Sequence, residues 1–142
     1  MDDIKRLIEE HQAMDDMARE LIELARHSEP QPLEAFNAMR RLSACLDEHL
    51  AGEAGFLYRD HLAASPDRLD EEVRRFEADF ADLTEEWTLY LREWTLDNIA
   101  IDWRNYAHAT LWIMGRLRER IAQENDILYP LALHHGRIRL RS

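Results

Sequence analysis

The chain is poor in helix breakers: its 142 residues include only four glycines and four prolines. Long uninterrupted helices follow, because those two residues are the strongest local punctuation of regular structure. A single cysteine, Cys45, excludes a disulfide framework and a cysteine-based zinc site. It falls among apolar residues of an expected helix, which reads as an inert buried thiol. Lysine is nearly missing too, Lys5 being the only one, so arginine carries the positive charge. No apolar run approaches the length of a membrane span, and the Met-Asp-Asp start has no apolar signal core. A soluble, cytoplasmic protein is the expectation. The net charge of −11, from 18 basic and 29 acidic residues, opposes nucleic acid or an anionic membrane as main partner. The length suits one domain over 1–142 with a full core and a short basic tail from about Gly136.

The few breakers divide the chain into four helices, here A to D. Helix A runs from about Asp2 to His27, before Pro30 and Pro32. Helix B spans about Leu33 to Leu62. Ser65-Pro66 supplies a cap and a first-turn proline for helix C, which reaches about Trp94. Helix D is capped near Asp97 and runs to about Pro130. Strand-like alternation occurs only in the tail, Arg137 to Arg141. Short connections between long helices imply an all-α, up-down-up-down antiparallel four-helix bundle.

Apolar residues at steps of three and four mark each inner face. Helix A gives Ile4, Leu7, His11, Met14, Ala18, Leu21 and Ala25. Helix B gives Phe36, Met39, Leu42, Leu46, His49, Glu53 and Phe56. Helix C gives Leu69, Val73, Phe76, Phe80, Leu83, Trp87, Tyr90 and Trp94. Helix D gives Ile99, Trp103, Tyr106, Thr110, Ile113, Leu117, Arg120, Glu124, Ile127 and Leu131. Polar residues thus interrupt three otherwise apolar stripes, and in an antiparallel bundle His11, His49, Glu53, Arg120 and Glu124 fall at one end. Buried charges there must find partners, since desolvation otherwise costs several kcal/mol.

Those residues also form a repeat. His49-Leu-Ala-Gly-Glu-Ala-Gly-Phe-Leu-Tyr58 is echoed by Arg120-Ile-Ala-Gln-Glu-Asn-Asp-Ile-Leu-Tyr129. In the first copy His49 and Glu53 stand one helical turn apart and point the same way. The second copy keeps the carboxylate but carries Arg120 in place of the histidine. With Glu10-His11 on helix A, and Leu128-Tyr129-Pro130 closing helix D, the chain resembles the hemerythrin-like, or HHE cation-binding, family from Ile4 to Leu131. The resemblance implies a four-helix bundle holding non-haem iron, usually as a di-iron pair, through histidines and bridging carboxylates. Helix C departs from the pattern: it offers no histidine, and its stripe places Phe80 opposite His11, with Glu77 at the flank.

The metal ligands expected from this pattern are His11, His49, Glu53 and Glu124. Two imidazoles and two carboxylates suit iron, manganese or zinc, with open positions for dioxygen or another small ligand. A single ion is expected, because helix C lacks a ligand. The competing reading holds no metal: the Arg120 guanidinium neutralises the carboxylates, and the bundle serves as a protein-interaction module, for instance a homodimer. An enzyme is less favoured, since no separate base, nucleophile or substrate motif accompanies the cluster. His108 lies off the stripe, roughly 24 Å along a straight helix from Glu124. His27, His61, His134 and His135 lie at or beyond helix ends and read as solvent-exposed. Gly52 and Gly55 leave room either for a ligand channel or for close helix packing. The four tryptophans read as core or as helix-helix interface.

Overall fold

The computed structural model describes residues 2–52 and 68–130, and every regular element among them is helical. These are α1 (Asp2–Arg26), α2 (Pro32–Gly52), α3 (Arg68–Glu93), α4 (Leu96–Ile101) and α5 (Trp103–Gln123), followed by a π-helical turn (Glu124–Leu128). The expected end of helix B near Leu62, the Ser65-Pro66 cap and the tail from Arg137 lie outside the described residues.

Side-chain pairs fix the directions. Early α1 meets late α2 at His11 and His49, and later α1 meets earlier α2 at Glu20 and Arg41. Early α1 likewise meets late α5, with Arg118 bonded to Asp15, while Trp103 at the other end of α5 donates to the His27 carbonyl. Early α3 meets late α5 through Phe76 and Arg120, and late α3 meets earlier α5 through Tyr90 and Thr110. Each neighbouring pair is therefore antiparallel. The exposed ion pairs among these contacts mark register more than they stabilise, being worth under about 1 kcal/mol each.

The inner stripes fall where the helical period puts them. Leu7, Met14, Ala18, Leu21, Met39, Leu42 and Leu46 are buried, as are Leu83, Trp87, Tyr90, Ile99, Tyr106, Ile113 and Leu117. Phe36, expected inside, is only partly covered; Ala35 and Ala38 bury instead, because smaller side chains let α2 approach its neighbours. Trp87, Trp94 and Trp103 belong to the core, whereas Trp112 is exposed. Gly52 serves close packing: a Cβ there would stand 3.3 Å from Arg6 and 3.5 Å from Leu7 on α1. Gly55 lies outside the described residues.

Helix D departs from the expectation twice. Its start is a separate short helix, α4, because two capping side chains follow one another. Thr95 Oγ1 accepts the Asn98 N–H, and Asp102 Oδ1 accepts the Asn105 N–H to open α5. Short polar side chains compete for backbone N–H groups in this way, and Asp102 takes a non-helical backbone (φ −135°, ψ 63°). The second departure is the wide turn at 124–128, where the Tyr129 N–H bonds the Glu124 carbonyl five residues back. The extra residue in that turn rotates everything after it. Ile127, expected inside, is exposed, and Tyr129 is buried instead.

Cys45 is half-buried rather than enclosed. Burial pushes its pKa up, and the nearby Glu10 and Glu48 carboxylates add to the shift. Since the thiolate is the nucleophile, alkylation at neutral pH should be slower in the folded chain than in denaturant. Rate measurement with iodoacetamide checks this, and equal rates in both states would contradict it.

Candidate metal centre

The antiparallel arrangement places the first half of α1, the last turn of α2 and the end of α5 at one level. His11 (2 % exposed), His49 (1 %), Arg120 (6 %) and Glu124 (2 %) are all buried there. His11 Nε2 stands 3.0 Å from His49 Nε2 and 2.6 Å from Glu124 Oε1, which lies 3.4 Å from His49 Nε2. One ligand atom from each residue lies within 4.8 Å of the others, a grouping that could hold a metal ion. Glu53 lies outside the described residues. The structure brings together every other residue expected at this end.

The outer ring nitrogens explain how the imidazoles are aimed. His49 Nδ1 lies 2.9 Å from Glu10 Oε1, and a carboxylate can only accept, so His49 Nδ1 carries the proton. His11 Nδ1 lies 2.8 Å from Asn125 Oδ1, which sets the same tautomer with the amide oriented in this way. Both Nε2 atoms then turn lone pairs toward one another and toward Glu124 Oε1. A proton or a metal ion can bridge these three atoms, and the 2.6 Å His11–Glu124 contact is itself of hydrogen-bond length. Neighbouring donors around one ion with bonds of ~2.1 Å stand roughly 3.0–3.4 Å apart, so two of the three spacings suit a metal directly and the 2.6 Å His11–Glu124 contact would open slightly around one. Holding the second ring nitrogen on a carboxylate or amide is also how metal-ligating histidines are commonly oriented.

Glu124 is divided between two cations' worth of chemistry. Its Oε1 faces the imidazoles, while Oε2 accepts from Arg120 Nε at 2.7 Å. Arg120 NH1 donates in turn to the Phe76 carbonyl at 3.0 Å. The guanidinium also lies over the rings of Phe76 and Phe80, with its carbon 5.4 and 5.9 Å from their centroids. Aromatic faces attract such a cation electrostatically. Thus α3 offers this end two rings and a carbonyl. Phe80 is half-buried against Arg120, and Glu77 is exposed.

One buried participant was not anticipated as a site residue. Tyr129 Oη lies 3.0 Å from His11 Nε2, 3.4 Å from His49 Nε2 and 3.3 Å from Glu124 Oε1, its ring stacked on His11. In an unbroken α-helix a residue five places after Glu124 points well away from it. The π-helical turn brings it back. The sequence signal was the tyrosine ending both copies of the repeat. The supporting roles of Glu10 and Asn125 were likewise unforeseen, although Glu10 sat in the Glu10-His11 motif. His108, in contrast, is exposed and takes no part.

With these residues in place the comparison with known families is decisive. The hemerythrin HHE cation-binding domain matches residues 2–132. The chain belongs to that family. No curated protein and no solved structure matches it. Against the family's paired-iron pattern, this hemerythrin domain keeps the histidines of its first two helices and the carboxylate of its last. It places an arginine on the second oxygen of that carboxylate. Among the described residues, no helix is long and apolar enough to cross a membrane.

Proposed function

We propose that this hemerythrin-family domain binds one ion of non-haem iron through His11, His49 and Glu124, with Glu53 completing the set. It would act as a cytoplasmic sensor, storage or small-ligand-binding protein. The observation that carries this reading is the pair of Nε2 atoms 3.0 Å apart, both turned inward by acceptors on their Nδ1 atoms. Iron there would supply an open coordination position for dioxygen or another small ligand. The chain's own residues do the rest: Glu10 and Asn125 orient the imidazoles, and Arg120 holds Glu124 in place. Mixed nitrogen and oxygen donors also accept zinc or manganese, so metal identity rests on analysis of the protein itself.

A second reading keeps the bundle without metal, as an interaction module or homodimer. The short Arg120–Glu124 bond favours it, because a guanidinium already neutralises that carboxylate.

Elemental analysis of protein purified without chelator separates the two. The metal reading expects iron in the wild type, none in His49→Ala, and metal affinity about 10–100-fold weaker in Glu10→Ala, whose loss frees the His49 ring. Wild-type protein that stays metal-free after incubation with iron, zinc and manganese salts would leave the second reading standing alone.

A further inference from the structure

We propose that Tyr129 is a direct ligand of the ion, through its phenolic oxygen. The inference rests on the metal reading above and adds a donor of a different chemical kind. His11 Nε2, His49 Nε2, Glu124 Oε1 and Tyr129 Oη form a closed figure of six distances: 3.0, 2.6, 3.4, 3.0, 3.4 and 3.3 Å. Those are the edges of a distorted tetrahedron, shortest between His11 and Glu124. Its centre lies roughly 1.9 Å from each vertex, against the ~2.0–2.2 Å bonds that nitrogen and oxygen ligands make to such ions. Four donors from three helical segments surround one point, and Glu53 and a small ligand would add to them as fifth and sixth donors.

The phenol oxygen lies within 3.4 Å of both imidazole nitrogens and of the carboxylate oxygen at once. A cation at the centre satisfies all of them together, the phenol giving its proton to solvent as the oxygen binds. The backbone is also arranged for this placement. The wide turn at 124–128 costs regular helical hydrogen bonding, and its result is to set Tyr129 on the same face as Glu124. Such turns recur at functional sites. The other buried tyrosines stand away from this cluster. Tyr90 bonds Thr110 at 2.7 Å, and burial drives the pKa of both Tyr90 and Tyr106 upward. Both belong to the other half of the bundle: Tyr106 lies roughly 27 Å along α5 from Glu124, and Tyr90 on α3 meets α5 at Thr110, roughly 21 Å along it.

Ferric iron reports the bond directly, because a phenolate ligand gives it an intense visible charge-transfer band with tyrosine ring modes in resonance Raman. Apo-protein is loaded with one equivalent of ferric nitrilotriacetate, as wild type, Tyr129→Phe and Tyr90→Phe. The expected result is a coloured wild type and Tyr90→Phe, with Tyr129→Phe binding ferric iron at least about tenfold more weakly and without the band. Phenylalanine keeps the ring stacked on His11, and circular dichroism of the apo-proteins confirms that the variant folds. Wild-type protein that binds stoichiometric iron but shows no phenolate band overturns the proposal, as does a band that persists in Tyr129→Phe. Neither result touches the metal reading itself. That reading fails separately, and this one with it, only when the wild type binds no metal.

Discussion

Arg120→Ala should lower the stability of the chelator-treated protein by about 3–5 kcal/mol, the usual cost of removing one side of a buried ion pair. The size follows from where the guanidinium sits. It is 6 % exposed, bonded to Glu124 Oε2 at 2.7 Å and to the Phe76 carbonyl at 3.0 Å, and packed over two aromatic rings. Alanine strips all of these contacts at once and opens a cavity between α3 and α5. Lysine should recover only part of the loss, because a single ammonium cannot reproduce the fork that spans the carboxylate and the carbonyl. Adding Glu124→Gln to Arg120→Ala should restore stability relative to Arg120→Ala alone, since the charge left behind is then gone. Urea unfolding of wild type, Arg120→Ala, Glu124→Gln and the double variant gives the coupling directly. A loss under about 1 kcal/mol for Arg120→Ala would place it among exposed pairs and contradict its role as internal counter-ion.

The fold was legible because the helical period does most of the specifying. Leu7, His11, Met14, Ala18 and Leu21 on α1, or Leu83, Trp87 and Tyr90 on α3, could be assigned to the interior from spacing alone. Spacing assumes an unbroken α-helix, and the failures sit where that assumption fails. Asp102 interrupts helix D because its carboxylate captures a backbone N–H, an option open to any aspartate and taken by few. Ile127 falls inside by spacing and is exposed because the π-helical turn inserts one residue into the count.

The same turn limited what could be read of the site. His11, His49, Arg120 and Glu124 were found because charged and polar residues on an apolar stripe are conspicuous. Tyr129 is not, since a tyrosine near the end of an apolar helix passes for core. Asn125 is offset from the stripe by one residue, yet from within the wide turn it reaches His11 Nδ1. Glu10 neighbours a candidate ligand, yet its partner is a different histidine on another helix. Relations of that kind belong to tertiary structure and leave no periodic trace. The division of Glu124 also revises an opposition drawn from sequence. Arg120 and a metal need not compete for one carboxylate when each has its own oxygen.

That division leads to the prediction with the largest effect on the loaded protein. Wild type should take up one metal ion per chain, and iron-loaded protein should show no oxo-bridged pair. In the family pattern a carboxylate bridges two irons; here Oε2 is held by Arg120, so the second position is already occupied by a fixed positive charge. The rings of Phe76 and Phe80 lie where a ligand from α3 would be wanted, and Glu77 faces outward. A divalent ion beside the guanidinium would meet like charge and a smaller donor set. The single ion should nevertheless matter greatly to stability, because it binds an arrangement that the unfolded chain lacks. At a free concentration a thousandfold above its Kd, it would add about 4 kcal/mol, visible as a large fall in Tm when a chelator removes it. Arg120→His removes the fixed charge and restores the family's ligand, so it should raise iron affinity and admit a second ion. Metal analysis, Mössbauer spectra and paired thermal melts of wild type and Arg120→His test these points together. Two irons per chain with an oxo-bridged spectrum in the wild type would refute the single-ion site. A Tm indifferent to chelator after metal loading would remove the ion from the account of stability.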